Sequence, residues 1–293
     1  MVRGETTNPI RPQGIDADAD EVVFIGTSQD ALTLFKVPPA GGAVEKETPS
    51  QSIGTVIGMD LHMQPTRFVL NAPNGFVAFV PRDDIFAFTL EGVGTNPVQL
   101  AGTSLITCWS RHAPDMPSVQ CANGDTPFEA FTVASNPSGI AMDGGLSYWV
   151  ADGVLWRSDP NPDVGTPTVV SAEVPGDGPL AIDGNDAYVV SAAGVWRRSL
   201  AGGSGSIIAT LPATLPVDVI IVGSFLYVST VTEEAGVYRV DVDDGTVEPL
   251  YLSESGPLTG YITAFGNDVF FGLYDDDVVL RHRIGSAAFG GVR

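Results

Sequence analysis

Between Pro137 and Arg157 three short apolar runs are separated by two polar breaks, Asp143-Gly144-Gly145 and Asp152-Gly153. Runs of this length bounded by Asp and Gly predict consecutive antiparallel strands joined by tight turns. The pattern returns downstream. Leu180-Ala181-Ile182-Asp183-Gly184, Val219-Ile220-Ile221-Val222-Gly223 and Ile262-Thr263-Ala264-Phe265-Gly266 each answer Ile140-Ala141-Met142-Asp143-Gly144, at intervals of about 40 residues. Second strands are predicted over 147–151, 187–191, 225–230 and 269–273. The third strands align best. Val154-Leu155-Trp156-Arg157, Val195-Trp196-Arg197, Val237-Tyr238-Arg239 and Val279-Leu280-Arg281 share an apolar residue followed by Arg, and Phe35-Lys36 is the first version of the pair. A glycine at a fixed distance beyond it in three units (Gly42, Gly203, Gly245) marks a turn that needs positive φ before an outermost strand.

Upstream, Pro12-Gln13-Gly14-Ile15-Asp16-Ala17-Asp18 matches Pro137-Ser138-Gly139-Ile140-Ala141-Met142-Asp143. The region 51–100 is longer than one unit and admits two registers. Its inner strand is either 54–61 or 67–71, with clear strands over 75–80 and 85–90 in both. The segment 103–136 fits worst, with a long loop expected around Pro114-Asp115-Met116-Pro117.

A four-stranded unit of this period predicts an all-β fold, a β-propeller, in which neighbouring blades cover each other's faces. About six periods separate Ile15 from Ile262, so seven inner strands fit if 103–136 is a degraded blade carrying a Cys loop. Six blades with two insertions is the alternative. The domain reading is an N-terminal arm over 1–12 and one propeller over 13–293. Trp156, Trp196 and Tyr238 are expected between blades. The helical spacing i, i+3, i+4, i+7 is absent, which excludes a helical solenoid.

The chain has 293 residues with 34 Gly and 22 Pro, a turn-rich composition. Its net charge of −21 sets two lysines, Lys36 and Lys46, against twelve arginines. Such a surface repels nucleic acid and anionic lipid, so neither is an expected partner. No apolar run is long enough for a membrane-spanning helix. Met1–Pro12 lacks the apolar stretch of a signal peptide, so the chain is either cytoplasmic or a secreted, periplasmic or cell-surface protein whose signal has been removed. Cys108 and Cys121, the only cysteines, are expected to form a disulfide pinning a loop that overhangs one end of the propeller.

Tyr148-Trp149-Val150-Ala151-Asp152 resembles the signature of YWTD-type propellers with one residue inserted. The Pro-x-Gly-Ile-x-x-Asp start and the Gly-Val-Trp-Arg third strand resemble NHL-type repeats and secreted propellers of myxobacteria and related bacteria. The resemblance implies the architecture and an extracytoplasmic binding role. Propellers host many activities, so function has to be argued from the site.

Candidate chemistry is sparse. Trp109, Arg111, His112 and Met116 gather contact-prone side chains in the least regular segment and are the candidate binding residues. Asp16, Asp18 and Asp20 form Asp-x-Asp-x-Asp, which could offer oxygens to Ca²⁺ or another divalent ion, although Glu21 and Thr27 stand where an EF-type loop wants Gly and Glu. Asp18, Asp60, Asp143 and Asp183 recur at the ends of inner strands, as a ring of carboxylates or as turn residues. No His-x-His, His-Glu-x-x-His or Gly-x-Ser-x-Gly motif occurs. The leading expectation is a non-catalytic binding or scaffold propeller without a cofactor, taking a protein or glycan ligand. One alternative is a divalent-metal hydrolase resembling gluconolactonases, with Asp143, Asp183, Asn71 and Glu21 as conceivable contributors. Another is self-association through apolar outer strands such as 205–210.

Overall fold

The fold was read from a computed structural model. It describes residues 2–3, 12–28, 31–41, 43–47, 60–72, 76–83, 89–92, 97–112, 117–123, 126–161, 166–212, 215–231, 235–253, 259–273, 278–284 and 289–291. The described residues form seven antiparallel sheets and no helix. The chain is a seven-bladed β-propeller. The inner strands of the blades, in order, are Pro12–Ala17, Leu61–Gln64, Pro97–Gly102, Gly139–Asp143, Leu180–Ile182, Leu215–Val222 and Thr259–Phe265. Within blades 1 to 6 the strands follow one another outward in chain order, as do the first three strands of blade 7.

The tight turns follow the sequence pattern. Asp152 and Gly153 have φ of 52° and 68° and join Leu146–Ala151 to Val154–Ser158 as a two-residue hairpin. Gly203 and Gly245 have positive φ, as expected of the third turn. Gly42 lies outside the described residues.

Each blade's sheet sends alternate side chains to opposite neighbours, and seven apolar clusters result, one at every junction between blades. Phe24 and Phe35 of blade 1 stack at 5.0 Å and meet Tyr261, Phe270 and Val279 of blade 7. Their strand neighbours Val23, Ile25 and Leu34 turn the other way onto Phe68 and Leu70 of blade 2. Trp196 and Tyr238 are buried at the junctions of blades 4 with 5 and 5 with 6, where the third-strand pattern places them. Trp156 is only half-buried, at the junction of blades 3 and 4. Third-strand arginines of blades 5 and 7 pair with acids of their own blades. Arg197 bonds Asp186 at 2.6 Å, and Arg281 bonds Asp268 at 2.6 Å.

Blade 7 closes the ring with both ends of the chain. Its third strand, Val278–Arg283, pairs on one edge with Asp268–Leu273. Its other edge takes Val2–Arg3 beside Val278 and Val279, and Phe289–Gly291 beside Leu280 to His282. Part of the segment read as an N-terminal arm therefore sits in the last sheet.

Three sequence expectations change. The inner strand of blade 2 is neither 54–61 nor 67–71 but Leu61–Gln64, and Arg67–Ala72 is the second strand. The segment 103–136 is not a degraded blade. Its missing strand is Pro97–Gly102, which precedes it, and Ile106–Arg111, Ser118–Asn123 and Thr126–Thr132 complete a regular blade 3. The disulfide forms, with an S–S distance of 2.04 Å. It does not pin an overhanging loop: Cys108 and Cys121 are directly opposed on adjacent strands and fully buried. Reduction is expected to destabilise the protein by about 3 kcal/mol, the entropy of a closed loop of this size, measured as the shift in urea midpoint with and without reductant.

Candidate functional site

The seven inner strands surround a central cavity of about 300 Å³. Its wall is uneven. Blades 1, 2, 3, 6 and 7 contribute Asp16, Asp60, His62, Gln99, Asp218 and Thr263. Blades 4 and 5 contribute Ile140, Ala141, Met142, Leu180, Ala181 and Ile182, with no polar side chain.

Asp60 and Asp218 perform the same task. Each stands immediately before the inward apolar residue of its strand. Asp60 Oδ1 accepts the Leu61 N–H at 2.8 Å, and its Oδ2 accepts the Leu100 N–H of blade 3 at 2.7 Å. Asp218 Oδ1 accepts the Val219 N–H at 2.8 Å, and its Oδ2 accepts the Ile262 N–H of blade 7 at 2.9 Å. Each carboxylate thus ties two neighbouring blades through backbone donors that the inner edge of a sheet leaves over.

Asp16 does the same one residue further along and spans the ring closure. Its Oδ1 accepts the Ala17 N–H at 2.8 Å and the Thr263 hydroxyl of blade 7 at 2.8 Å. Its Oδ2 accepts the Met63 N–H of blade 2 at 2.8 Å and lies 3.5 Å from His62 Nδ1. His62 Nε2 is 3.1 Å from the Thr103 carbonyl oxygen. Glycine at 102 makes room for this ring, since a Cβ there would lie 2.3 Å from Nε2.

The charges interact. Burial, reinforced by the charges of Asp218 and Asp16, pushes the Asp60 carboxyl well above the usual carboxylate range. Burial outweighs two backbone hydrogen bonds at Asp218 and raises it to about 6. Burial opposes the His62 cation, but bonding to Asp16 outweighs it and the imidazole is raised. Tyr261, buried beside both acids, is raised as well.

The sequence-derived candidates do not assemble into one site. Trp109 is fully buried between blades 2 and 3, edge-on to Phe79 with ring centres 6.5 Å apart, and its Nε1 donates to Gln120 at 3.1 Å. It faces blade 2 because it is one residue from Cys108, which faces blade 4. A tryptophan so placed packs; it offers no face to a ligand. Arg111 and His112 are half-buried at the end of the same strand, with His112 Nε2 2.6 Å from the Pro137 carbonyl oxygen. Met116 lies outside the described residues.

Asp16, Asp18 and Asp20 also separate. Asp16 faces the channel. Asp18 caps its own turn, accepting the Asp20 and Glu21 N–H groups, and pairs with Arg82 at 2.6 Å. Asp20 is exposed. Among the described residues no three His, Cys, Asp or Glu side chains are gathered to hold one metal ion. Asp183 behaves like Asp18, capping its turn and accepting the Tyr188 hydroxyl at 3.2 Å. Of the residues conceivable for a metal hydrolase, Glu21 pairs with Arg82, and the four fall on blades 1, 2, 4 and 5.

Sequence reasoning missed Asp218 and Gln99 and misplaced Asp60, which begins an inner strand instead of ending one. The available signal was an acid directly before the inward apolar residue, in Asp60-Leu61 and Asp218-Val219.

No protein-family model matches the chain, and no curated protein does. Similar folds occur among solved structures. The computationally designed Ika8 protein matches with a TM-score of 0.61 at 12% identity, over 94% of this chain and 97% of that one. BamB from Moraxella catarrhalis matches with a TM-score of 0.59 at 12% identity, over 94% and 84%. A chain of a nidogen/laminin complex matches with a TM-score of 0.54 at 13% identity, over 87% and 85%. At these identities the likeness establishes the fold alone, and the fold is the β-propeller.

Proposed function

We propose that this chain is a non-catalytic binding or scaffold propeller that works outside the cytoplasm. The observation that carries the reading is the use of Asp16, Asp60 and Asp218. In each, both carboxylate oxygens accept backbone N–H groups, one of them from the next blade. Carboxylates held this way maintain the ring and present fixed acceptors. They lack the freedom of a general base that must approach and leave a substrate proton. The buried disulfide supports an oxidising compartment, where such bonds persist. The similar chain in the nidogen/laminin structure belongs to a complex of proteins, a use of the fold that needs no chemistry.

Chelation tests the reading against the metal-hydrolase alternative. Dialysis against EDTA is expected to leave the thermal midpoint unchanged, with no lactone or ester hydrolysis before or after. A stoichiometric divalent ion whose removal abolishes hydrolysis would overturn the proposal.

A further inference from the structure

We infer that the two ends of the chain compete for one place in the sheet of blade 7, so that the N-terminal strand is a strap the C-terminus displaces. This goes beyond the proposed role and does not depend on it.

The first support is register. Along the outer edge of Val278–Arg283, Phe289, Gly290 and Gly291 stand opposite His282, Arg281 and Leu280. Val2 and Arg3 stand opposite Val279 and Val278. Both segments run antiparallel to that strand, so they lie in line and point the same way. Gly291 and Val2 hold consecutive places. A strand continued past Gly291 would put its next two residues opposite Val279 and Val278, where Val2 and Arg3 stand.

The second support is sequence. The two residues after Gly291 are Val292 and Arg293, the same dipeptide as Val2-Arg3. They lie outside the described residues. The C-terminal segment thus carries, in the right order, the side chains that the N-terminal one supplies. Exchange leaves the ladder with the same residues in the same places, and the two closures differ in connection alone. Val292 follows Gly291 directly, whereas Val2-Arg3 is tethered through 4–11 to Pro12, the start of blade 1. Two arrangements with the same local contacts make an element bistable.

The third support is the comparison among blades. In blades 1 to 6 the fourth strand is one continuous segment, such as Ser206–Ala209 or Val247–Leu252. Among the described residues, blade 7 alone divides that position between two segments. Releasing the strap does not open the ring. Blades 1 and 7 stay joined by the Thr263 hydroxyl bond to Asp16 at 2.8 Å and by the packing of Phe24 and Phe35 on Tyr261 and Phe270. What exchange frees is the segment 1–11, so a molecule that binds this segment favours the C-terminal closure.

The test uses two proteases on the folded full chain, each cut read by mass. Trypsin cleaves after Arg3 while the strap is out of the sheet, and the rate follows the released population. In a chain ending at Gly291, and in Val292→Pro, the strap has no rival, and this cut is expected to slow by about threefold or more. Carboxypeptidase B removes Arg293 by the same logic. That removal is expected to slow to a similar degree in Val2→Pro combined with Arg3→Pro. Two successive prolines cannot hold a ladder position, so the C-terminus takes it. Urea midpoints establish that each variant is folded, and Val292→Pro, which keeps the chain length, decides the matter if truncation unfolds the protein. If either cut is indifferent to the other end, the two do not share a place and the inference fails.

Discussion

Replacing Trp109 with alanine is expected to destabilise the protein by about 3–5 kcal/mol, the range for deleting a large aromatic from a core that cannot collapse. The ring is fully buried in the junction of blades 2 and 3, among Val69, Val77, Phe79 and Ala122. Its loss removes the edge-on contact with Phe79 and leaves Gln120 Oε1 without the indole donor. Collapse is resisted because the same blade is braced on its other face by Cys108 and Cys121, packed against blade 4. Trp109→Phe keeps most of the buried area and should cost markedly less. Urea denaturation followed by circular dichroism checks both. A loss below half a kcal/mol for Trp109→Ala would mean that the ring is solvent-facing and blade 3 is misregistered.

Stability should fall as pH rises from the ordinary carboxylate range through about 6. An acid whose folded-state value is raised holds its proton more tightly in the folded protein. It therefore favours folding at low pH, and the advantage is lost as pH climbs from the unfolded value to the folded one. For Asp218 that window runs from the ordinary carboxylate value to about 6. A shift of that size corresponds to roughly 3 kcal/mol. Asp60, raised by burial and by Asp218, acts in the same sense. His62, also raised, adds stability below its unfolded value and loses it as pH rises through the folded one. Asp18 and Asp268 are lowered despite burial, through their arginine partners, so their contribution is lost only in stronger acid. Equilibrium unfolding at a series of pH values should show an optimum in mild acid, and Asp218→Asn should flatten the decline. An equally steep decline in Asp218→Asn would place the effect in the overall negative charge instead.

The architecture was legible because a propeller repeats its constraints. The third strands place large apolar residues between blades, and many of the hairpins turn on glycine, or on Asp152, at positive φ. Hence Trp196, Tyr238 and Asp152-Gly153 could be placed without coordinates. Blade 3 was misread because its inner strand, Pro97-Val98-Gln99-Leu100-Ala101-Gly102, lacks the Asp-Gly that ends the inner strands of blades 4 and 5. Without that strand the cysteines seemed to belong to a loop. The channel was less legible still. Asp16, Asp60 and Asp218 come together only when blades 1, 2 and 6 close into a ring, and Gln99 reaches Val217 across the channel from blade 3. A local pattern carries the turn role of Asp18 and Asp183, two and three residues along their own chain. It does not carry a bond to the next blade, because that partner's position depends on the whole preceding unit.

The account rests on carboxylates that tie neighbouring blades around the channel, and amide hydrogen exchange reads those ties directly. In Asp60→Ala the amides of Leu61 and Leu100 should lose protection while those of Val219 and Ile262 keep it. In Asp218→Ala the pattern should reverse, with Val219 and Ile262 exposed and Leu61 and Leu100 retained. Unchanged protection of Leu100 in the first variant and of Ile262 in the second would contradict the account.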